Sequence, residues 1–195
     1  LNEFAKILLN EDDVKHFRNL AEKQLDDFFS LKSRLQKINT QIEKEFKDFG
    51  DTVLQFISDN GLSTTDFSYS DYPKHFQKFQ KLRFLKAGDI KFEGRLYKNI
   101  DANKNLYGAK TAASAKSAID NCKEECHQYY YKSKALYDAK YSLYVLNKIA
   151  LKNIIPLAVL NNINSELAQI KEDNNRRLNA EFNQLIADNI KKQPA

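Results

Sequence analysis

The chain has 195 residues and a formal net charge of +5, with five Gly, three Pro, two Cys and neither Met nor Trp. That length suits one domain or one elongated bundle, and so little Gly and Pro favours long helices over a turn-rich β fold. No run of eighteen apolar residues occurs, so no bilayer span is expected. Residues 1–9 carry Glu3 and Lys6 and lack a small-residue cleavage site, which argues against a signal peptide. The chain begins at Leu1 rather than Met, and an excised piece of a longer protein is expected.

Charge is unevenly spread. Residues 1–60 hold 9 basic and 12 acidic side chains, residues 61–156 hold 17 and 9, and residues 157–195 hold 5 and 5. The positive middle points to a partner of opposite sign: an anionic membrane, an acidic protein or a nucleic acid. Lys outnumbers Arg by 15 to 2 there, which disfavours bidentate base readout and makes nucleic acid the least expected of the three.

In chain order, residues 1–9 read as a short amphipathic helix with Leu1, Phe4 and Leu8 on one side. Asn10 followed by Glu11, Asp12 and Asp13 is a good helix start, since it answers exposed N–H groups and the helix dipole. A long helix is expected over 11–59. Its apolar residues recur every three or four positions at Val14, Phe17, Ala21, Leu25, Phe28, Leu31, Leu35, Ile38, Ile42, Phe46, Phe49, Val53 and Phe56. A helix of about 45 residues spans roughly 67 Å, so other helices must cover its seam. The doubled four-residue step around Ile42 and Phe46 is a stutter, where a bend or change of partner is expected near Gly50.

Residues 61–73 read as a loop ending at Pro73. Helices are expected over 74–106, with a break near 87–95, and over 109–152 and 157–190. Gly88 and Gly94 weaken the first of these by about 1 kcal/mol each, and a broken helix is preferred to a marginal hairpin. The third carries Ile119, Leu136 and Leu143 on its seam, and Pro156 predicts a turn or sharp kink over 153–156. Asn174 falls on the last seam, where a polar residue can set register.

Catalytic and metal signals are weak. His16, His75 and His127 are scattered, and Cys122, Cys126 and His127 lack both a CxxC spacing and a fourth ligand. The two Cys at i and i+4 are expected to be reduced and buried rather than bridged. Tyr130, Tyr137, Tyr141 and Tyr144 approximate one helical face and are expected to pack rather than stack on bases. No enzymatic constellation and no cofactor are expected.

The basic set stands out more. Lys74, Lys78, Lys81, Arg83 and Lys86 cluster within thirteen residues, Lys91, Arg95 and Lys98 continue the series, and Lys132 and Lys140 lie on the next helix. Such lysines suit diffuse attraction to a charged surface, at about 1 kcal/mol each beside an anionic leaflet. A coiled-coil module that offers this face to an acidic protein partner is the alternative.

The Phe46-Lys47-Asp48-Phe49-Gly50 step, the apolar Val53-Leu54 and Phe56-Ile57 pairs, the basic helices from Lys74 to Lys152 and the closing helix from Glu166 to Asn189 together resemble the BAR superfamily, in its sorting-nexin type. The resemblance implies an antiparallel homo- or heterodimer of helical bundles that binds curved anionic membranes in trafficking. The protein would then be cytoplasmic and peripheral to a membrane, with the endosomal membrane among those the resemblance implies. It also implies that Leu1, Phe4 and Leu8 wedge among headgroups, and that the seam Phe28, Leu31, Leu35, Ile38, Ile42, Phe46, Phe49, Ile119, Leu136 and Leu143 builds the bundle or the dimer. The fold expected is an all-α, elongated antiparallel bundle of three to four helices, dimeric through that seam.

Overall fold

The computed structural model describes residues 20, 22–83, 92–174, 186 and 189. The amphipathic segment with Leu1, Phe4 and Leu8, together with Lys86 and Lys91, lies outside the described residues. The fold is all-α. The helices are α1 (Leu25–Asp59), α2 (Asp71–Gln80), α3 (Arg95–Asp101), α4 (Ala113–Asn121) and α5 (Lys123–Asp173), with two 3₁₀ turns at Thr64–Asp66 and Ser68–Ser70. Among the described residues there is no strand, only a single antiparallel bridge between Phe67 and Tyr107.

The chain divides into two compact units, residues 1–35 with 149–195 and residues 36–148. In the second unit, Val53, Ile57, Tyr72, Phe76, Ile100, Ile119, Cys122, Cys126 and Tyr130 bury one another, with Leu62, Phe67 and Leu106 from the connecting loops. Beside them Ile42, Phe46, Phe79 and Tyr144 form another buried cluster. Gly50 is where α1 admits α2. A Cβ there would stand 2.6 Å from the Gln80 backbone nitrogen and 2.9 Å from the Phe76 carbonyl oxygen. In the first unit, Phe28, Ile154 and Ala158 form a small cluster flanked by Leu35, Ile155 and Leu157.

Several boundaries differ from those expected. The long helix begins at Leu25, not at residue 11, because residues 22–24 are non-helical. There the Gln24 N–H donates to Asp27 Oδ2 at 2.9 Å, while Asp26 and Asp27 sit in the first turn against the positive end of the dipole. The loop after α1 stops short of Pro73. Asp71, Tyr72 and Pro73 already form the first turn of α2, where Pro removes no ladder bond. The helix expected from residue 74 to a break near 87 ends earlier, at Gln80, and Leu82 just beyond takes a left-handed φ of 51°. The helix expected from 109 starts at Ala113 and is interrupted at Cys122 (φ −107°, ψ 18°).

Of the turn or sharp kink expected at 153–156, the turn is absent: α5 runs through Pro156 to Asp173. Pro156 is exposed, while Ile154, Ala158, Leu160 and Asn161 around it are buried. A mid-helix Pro costs about 3 kcal/mol or more, and burying one Ile or Leu side chain contributes about 1.5–3 kcal/mol. Two such residues offset the lost bond. Asn174 sets no register at a buried seam. It lies exposed in the turn after α5 and donates from Nδ2 to the Ile170 carbonyl at 2.8 Å.

Candidate functional site

α2 is amphipathic over ten residues. Tyr72, Pro73, His75, Phe76 and Phe79 are buried. Lys74, Lys78 and Lys81, at i, i+4 and i+7 across its C-terminal end, are exposed. At 100° per residue the three lysines fall within about 60° of arc, so they form one row. Phe49 of α1 meets Phe76 and Phe79 edge-on or tilted, each at 6.1 Å between ring centroids, which fixes the rotation of α2 and hence the direction of the row.

His75 contributes no charge to this face. Ser133 Oγ donates to the Tyr130 carbonyl at 2.6 Å, so its remaining contact, His75 Nε2 at 2.9 Å, must be the donor to it. The ring is thus the neutral Nε2–H tautomer. Burial, with Lys78 acting in the same direction, brings its pKa down to about 3.

The other expected basic residues are divided. Arg95 on α3 makes a paired hydrogen bond to Asp71, Nε–Oδ2 2.7 Å and Nη2–Oδ1 3.0 Å, and hydrogen bonding to that carboxylate raises its pKa further. Lys140 on α5 sits 3.2 Å from Glu45. Both charges are answered within the protein. Lys132 lies over the Tyr129 ring at 5.7 Å, and Arg83 and Lys98 are exposed. Lys74, Lys78 and Lys81 share one face of α2 and its C-terminal end, and Lys74 also donates to the Tyr69 carbonyl.

Of the expected seam, Phe28, Ile42, Phe46 and Ile119 are buried and Leu35, Ile38, Phe49 and Leu136 half-buried. Leu31 and Leu143 are 47% and 45% exposed. Further apolar side chains are exposed in the first unit: Leu25, Phe29, Ile149, Val159, Ile163 and Ile170. α5 is also long and apolar enough, by length and composition alone, to cross a membrane. Its central Asn147 is nonetheless buried against Asn39, with Nδ2 to Oδ1 3.1 Å, and Lys148 approaches Glu43 at 3.9 Å.

The tyrosines of α5 pack. Tyr130 and Tyr144 are buried, Tyr137 and Tyr141 stack at 4.5 Å and 14°, and the Tyr144 hydroxyl donates to Glu43 Oε1 at 2.6 Å. Burial pushes the Tyr130 and Tyr137 phenols up to about 12. Cys122 and Cys126 are free thiols with Sγ atoms 3.9 Å apart. Burial raises Cys122 and brings Cys126 to about 12, which keeps both protonated and poorly nucleophilic at neutral pH. Among the described residues no group of three or more His, Cys, Asp or Glu side chains is placed to hold a metal ion.

One feature is not legible in the residue pattern. Tyr69 and Ser70 both take left-handed backbone angles, φ 53° and 56°, and the Tyr69 side chain stands 71% exposed. The Arg95 guanidinium covers its ring at 3.6 Å, and Lys74 Nζ donates to its carbonyl at 3.1 Å. Tyr69 borders an open groove of about 460 Å³ between residues 65–69 and 108–112. The Phe67–Tyr107 bridge, Ser68 N–H to Leu106 O at 2.7 Å and Thr111 Oγ1 to Asp66 O at 3.1 Å hold the two loops together.

No protein-family model matches the chain, and neither a curated protein nor a solved structure matches it.

Proposed function

We propose that this protein is a non-enzymatic helical scaffold that docks peripherally on anionic membranes through the lysine row of α2 and associates as a BAR-like dimer. One observation carries the reading. Three lysines stand in a row on a helix whose opposite face is locked into an aromatic core. Like charges at i,i+4 spacing cost a helix about 0.2–0.5 kcal/mol per pair, a cost that an opposing anionic surface reverses. At about 1 kcal/mol per Lys close to a charged leaflet, three lysines supply roughly 3 kcal/mol of attraction. That is weak and reversible docking, which a dimer strengthens by presenting two rows at once.

The dimer reading draws on the first unit, where Leu25, Phe29, Ile163 and Ile170 remain exposed although they lie on helices whose other faces are packed. A second copy covering these residues would complete that core.

Vesicle co-sedimentation tests the docking. Binding to phosphatidylserine-containing vesicles, absent with phosphatidylcholine alone and weakened by salt, is the expected result. The Lys78→Glu, Lys81→Glu double variant should lose most of it. Absence of binding at low ionic strength removes the membrane reading and leaves an acidic protein as the partner for the row.

A further inference from the structure

The groove beside Tyr69 is lined by residues outside the lysine row, although Lys74 of that row donates to the Tyr69 carbonyl, and its chemistry is specific. We propose that it binds a neutral polyhydroxylated ring, that is, a saccharide, with Tyr69 as the stacking platform. The inference stands independently of membrane docking.

The first argument is the backbone. Two successive non-Gly residues in the left-handed region are strained, and such strain is held in place only where the surroundings over-determine it. Here they do. Arg95 stacks on one face of the Tyr69 ring and is itself doubly bonded to Asp71, while Lys74 holds the Tyr69 carbonyl. The result is an aromatic ring held at two points and 71% exposed, with Arg95 over one face. An aromatic face carries negative potential and attracts the positively polarised C–H face of a sugar ring.

The second argument is the lining. Hydroxyls of a sugar both donate and accept, so a site for them needs both kinds of partner close together. Its lining residues include Lys110, whose ammonium donates, Ser68, whose hydroxyl does either, and Asp66, whose carboxylate accepts. Hydrogen bonds from the Ser63 hydroxyl and N–H hold Asp66 ionised and bind its Oδ2, leaving Oδ1 to accept. A phosphate-bearing ligand fits poorly, because Arg95 is committed to Asp71 and the ionised Asp66 would repel it. Thr65 and Thr111 are tied to Ser63 and to the Asp66 carbonyl, so they shape the groove.

The test is a ¹H–¹⁵N titration of the whole chain with methyl glucoside, methyl mannoside, N-acetylglucosamine and lactose, with adenosine triphosphate run alongside. Saturable millimolar shifts confined to amides of residues 65–69 and 108–112 are expected with at least one sugar. Tyr69→Ala should weaken that binding by about tenfold or more, and Tyr69→Phe should leave it nearly unchanged, since the ring and not the hydroxyl stacks. Should Tyr69→Ala disturb the fold, Tyr69→Gly, which accepts the left-handed angle without strain, takes its place with the same expected loss. Phosphatidylcholine vesicles carrying glucosylceramide distinguish a glycolipid headgroup from a soluble sugar, and saturable binding to either supports the inference provided that it depends on Tyr69. No saturable binding of any sugar or of these vesicles, binding indifferent to Tyr69→Ala, or a Tyr69-dependent response to the nucleotide alone overturns it.

Discussion

The two units of this chain solve the same problem with different materials. Residues 36–148 bury rings: Phe46, Phe67, Tyr72, Phe76, Phe79, Tyr130 and Tyr144 are all nearly inaccessible, Phe46 and Phe79 meet tilted at 5.6 Å, Tyr72 and Phe76 edge-on at 5.0 Å, and Phe67 and Tyr72 stack at 5.2 Å. Among the described residues of 1–35 with 149–195, the buried side chains are Phe28, Ile154, Ala158, Leu160 and Asn161, while Leu25, Phe29, Ile163 and Ile170 are exposed. The polar groups divide the same way. In the second unit Asn39 and Asn147 answer each other, and Asn39 also donates to the Tyr144 carbonyl. In the first, Asn161 donates to the Lys23 carbonyl while its own buried Oδ1 has no partner. A closed aromatic core stabilises itself. In the dimer proposed above, a second copy would close the open aliphatic one.

The largest test of that contrast is a pair of truncations. Phe46 is fully buried against Ile42 and Phe79, so Phe46→Ala should cost about 3–5 kcal/mol, the range for aromatic deletions in rigid cores. Ile154→Ala, in a smaller cluster free to collapse, should stay near the lower limit of about 2 kcal/mol for such changes. Chemical denaturation with circular dichroism measures both, and equal costs would deny that the cores differ. Gly50→Val belongs with the first, since its Cβ would meet backbone atoms of α2 that cannot step aside; overpacking of this kind costs about 1–3 kcal/mol.

These contacts also separate what the residue pattern encodes from what it leaves open. The three-and-four spacing of Ile42, Phe46, Phe49 and Val53 sufficed to place a helix with a buried face, because periodicity is local. The break at residues 22–24 was not legible, because the apolar spacing through Ala21, Leu25 and Phe28 continues across it, while the Gln24–Asp27 hydrogen bond that starts the helix at Leu25 is a weak local signal. The passage through Pro156 depends on burial of Ile154 and Leu160, a tertiary gain that no local rule records. The lysine row was legible as a cluster, but not its members: only coordinates reveal that Arg95 and Lys140 are paired with Asp71 and Glu45. The Tyr69 platform was hidden altogether. It rests on a left-handed Tyr-Ser step for which the residue types give no signal.

Acid should separate the units next. His75 belongs to the aromatic unit, and its folded pKa of about 3 lies below its ordinary value of 6.5. Below pH 6.5 the unfolded chain takes up a proton that the folded one refuses, so stability falls as pH drops from 6.5 towards 3. At about 1.4 kcal/mol per pH unit the loss at pH 5 is roughly 2 kcal/mol. Hydrogen exchange at pH 7 and pH 5, corrected for intrinsic rates, should show loss of protection in residues 36–148. In His75→Gln the slope with pH should flatten, and an unchanged slope would place the acid sensitivity elsewhere.

A smaller effect is expected from the asparagine pair. Asn147→Ala leaves Asn39 Oδ1 without the donor that reaches it at 3.1 Å, an uncompensated buried acceptor that costs about 1–2 kcal/mol. The Asn39→Leu, Asn147→Leu double variant should recover part of that loss, because replacing both partners removes the orphaned group rather than creating one. A double-mutant cycle read by thermal denaturation gives the coupling, and a zero coupling energy would mean that the two amides act separately.

The least change in monomer stability, and the sharpest test of the open core, comes from Ile163→Glu with Ile170→Glu. Both side chains are exposed, at 43% and 56%, so within a single chain the substitutions should alter stability by no more than about 0.5 kcal/mol. Across an interface they would place carboxylates against apolar side chains, at the desolvation cost that excludes unpaired charge from such contacts. Light scattering at micromolar concentration should therefore give a dimer for the parent chain and a monomer for the variant, with matching denaturation midpoints once the parent is diluted below its dissociation constant. A parent that is monomeric from the outset would mean that the aliphatic unit tolerates its exposed face alone. A variant that unfolds would mean instead that Ile163 and Ile170 serve their own chain, and that the contrast between the two cores is one of degree.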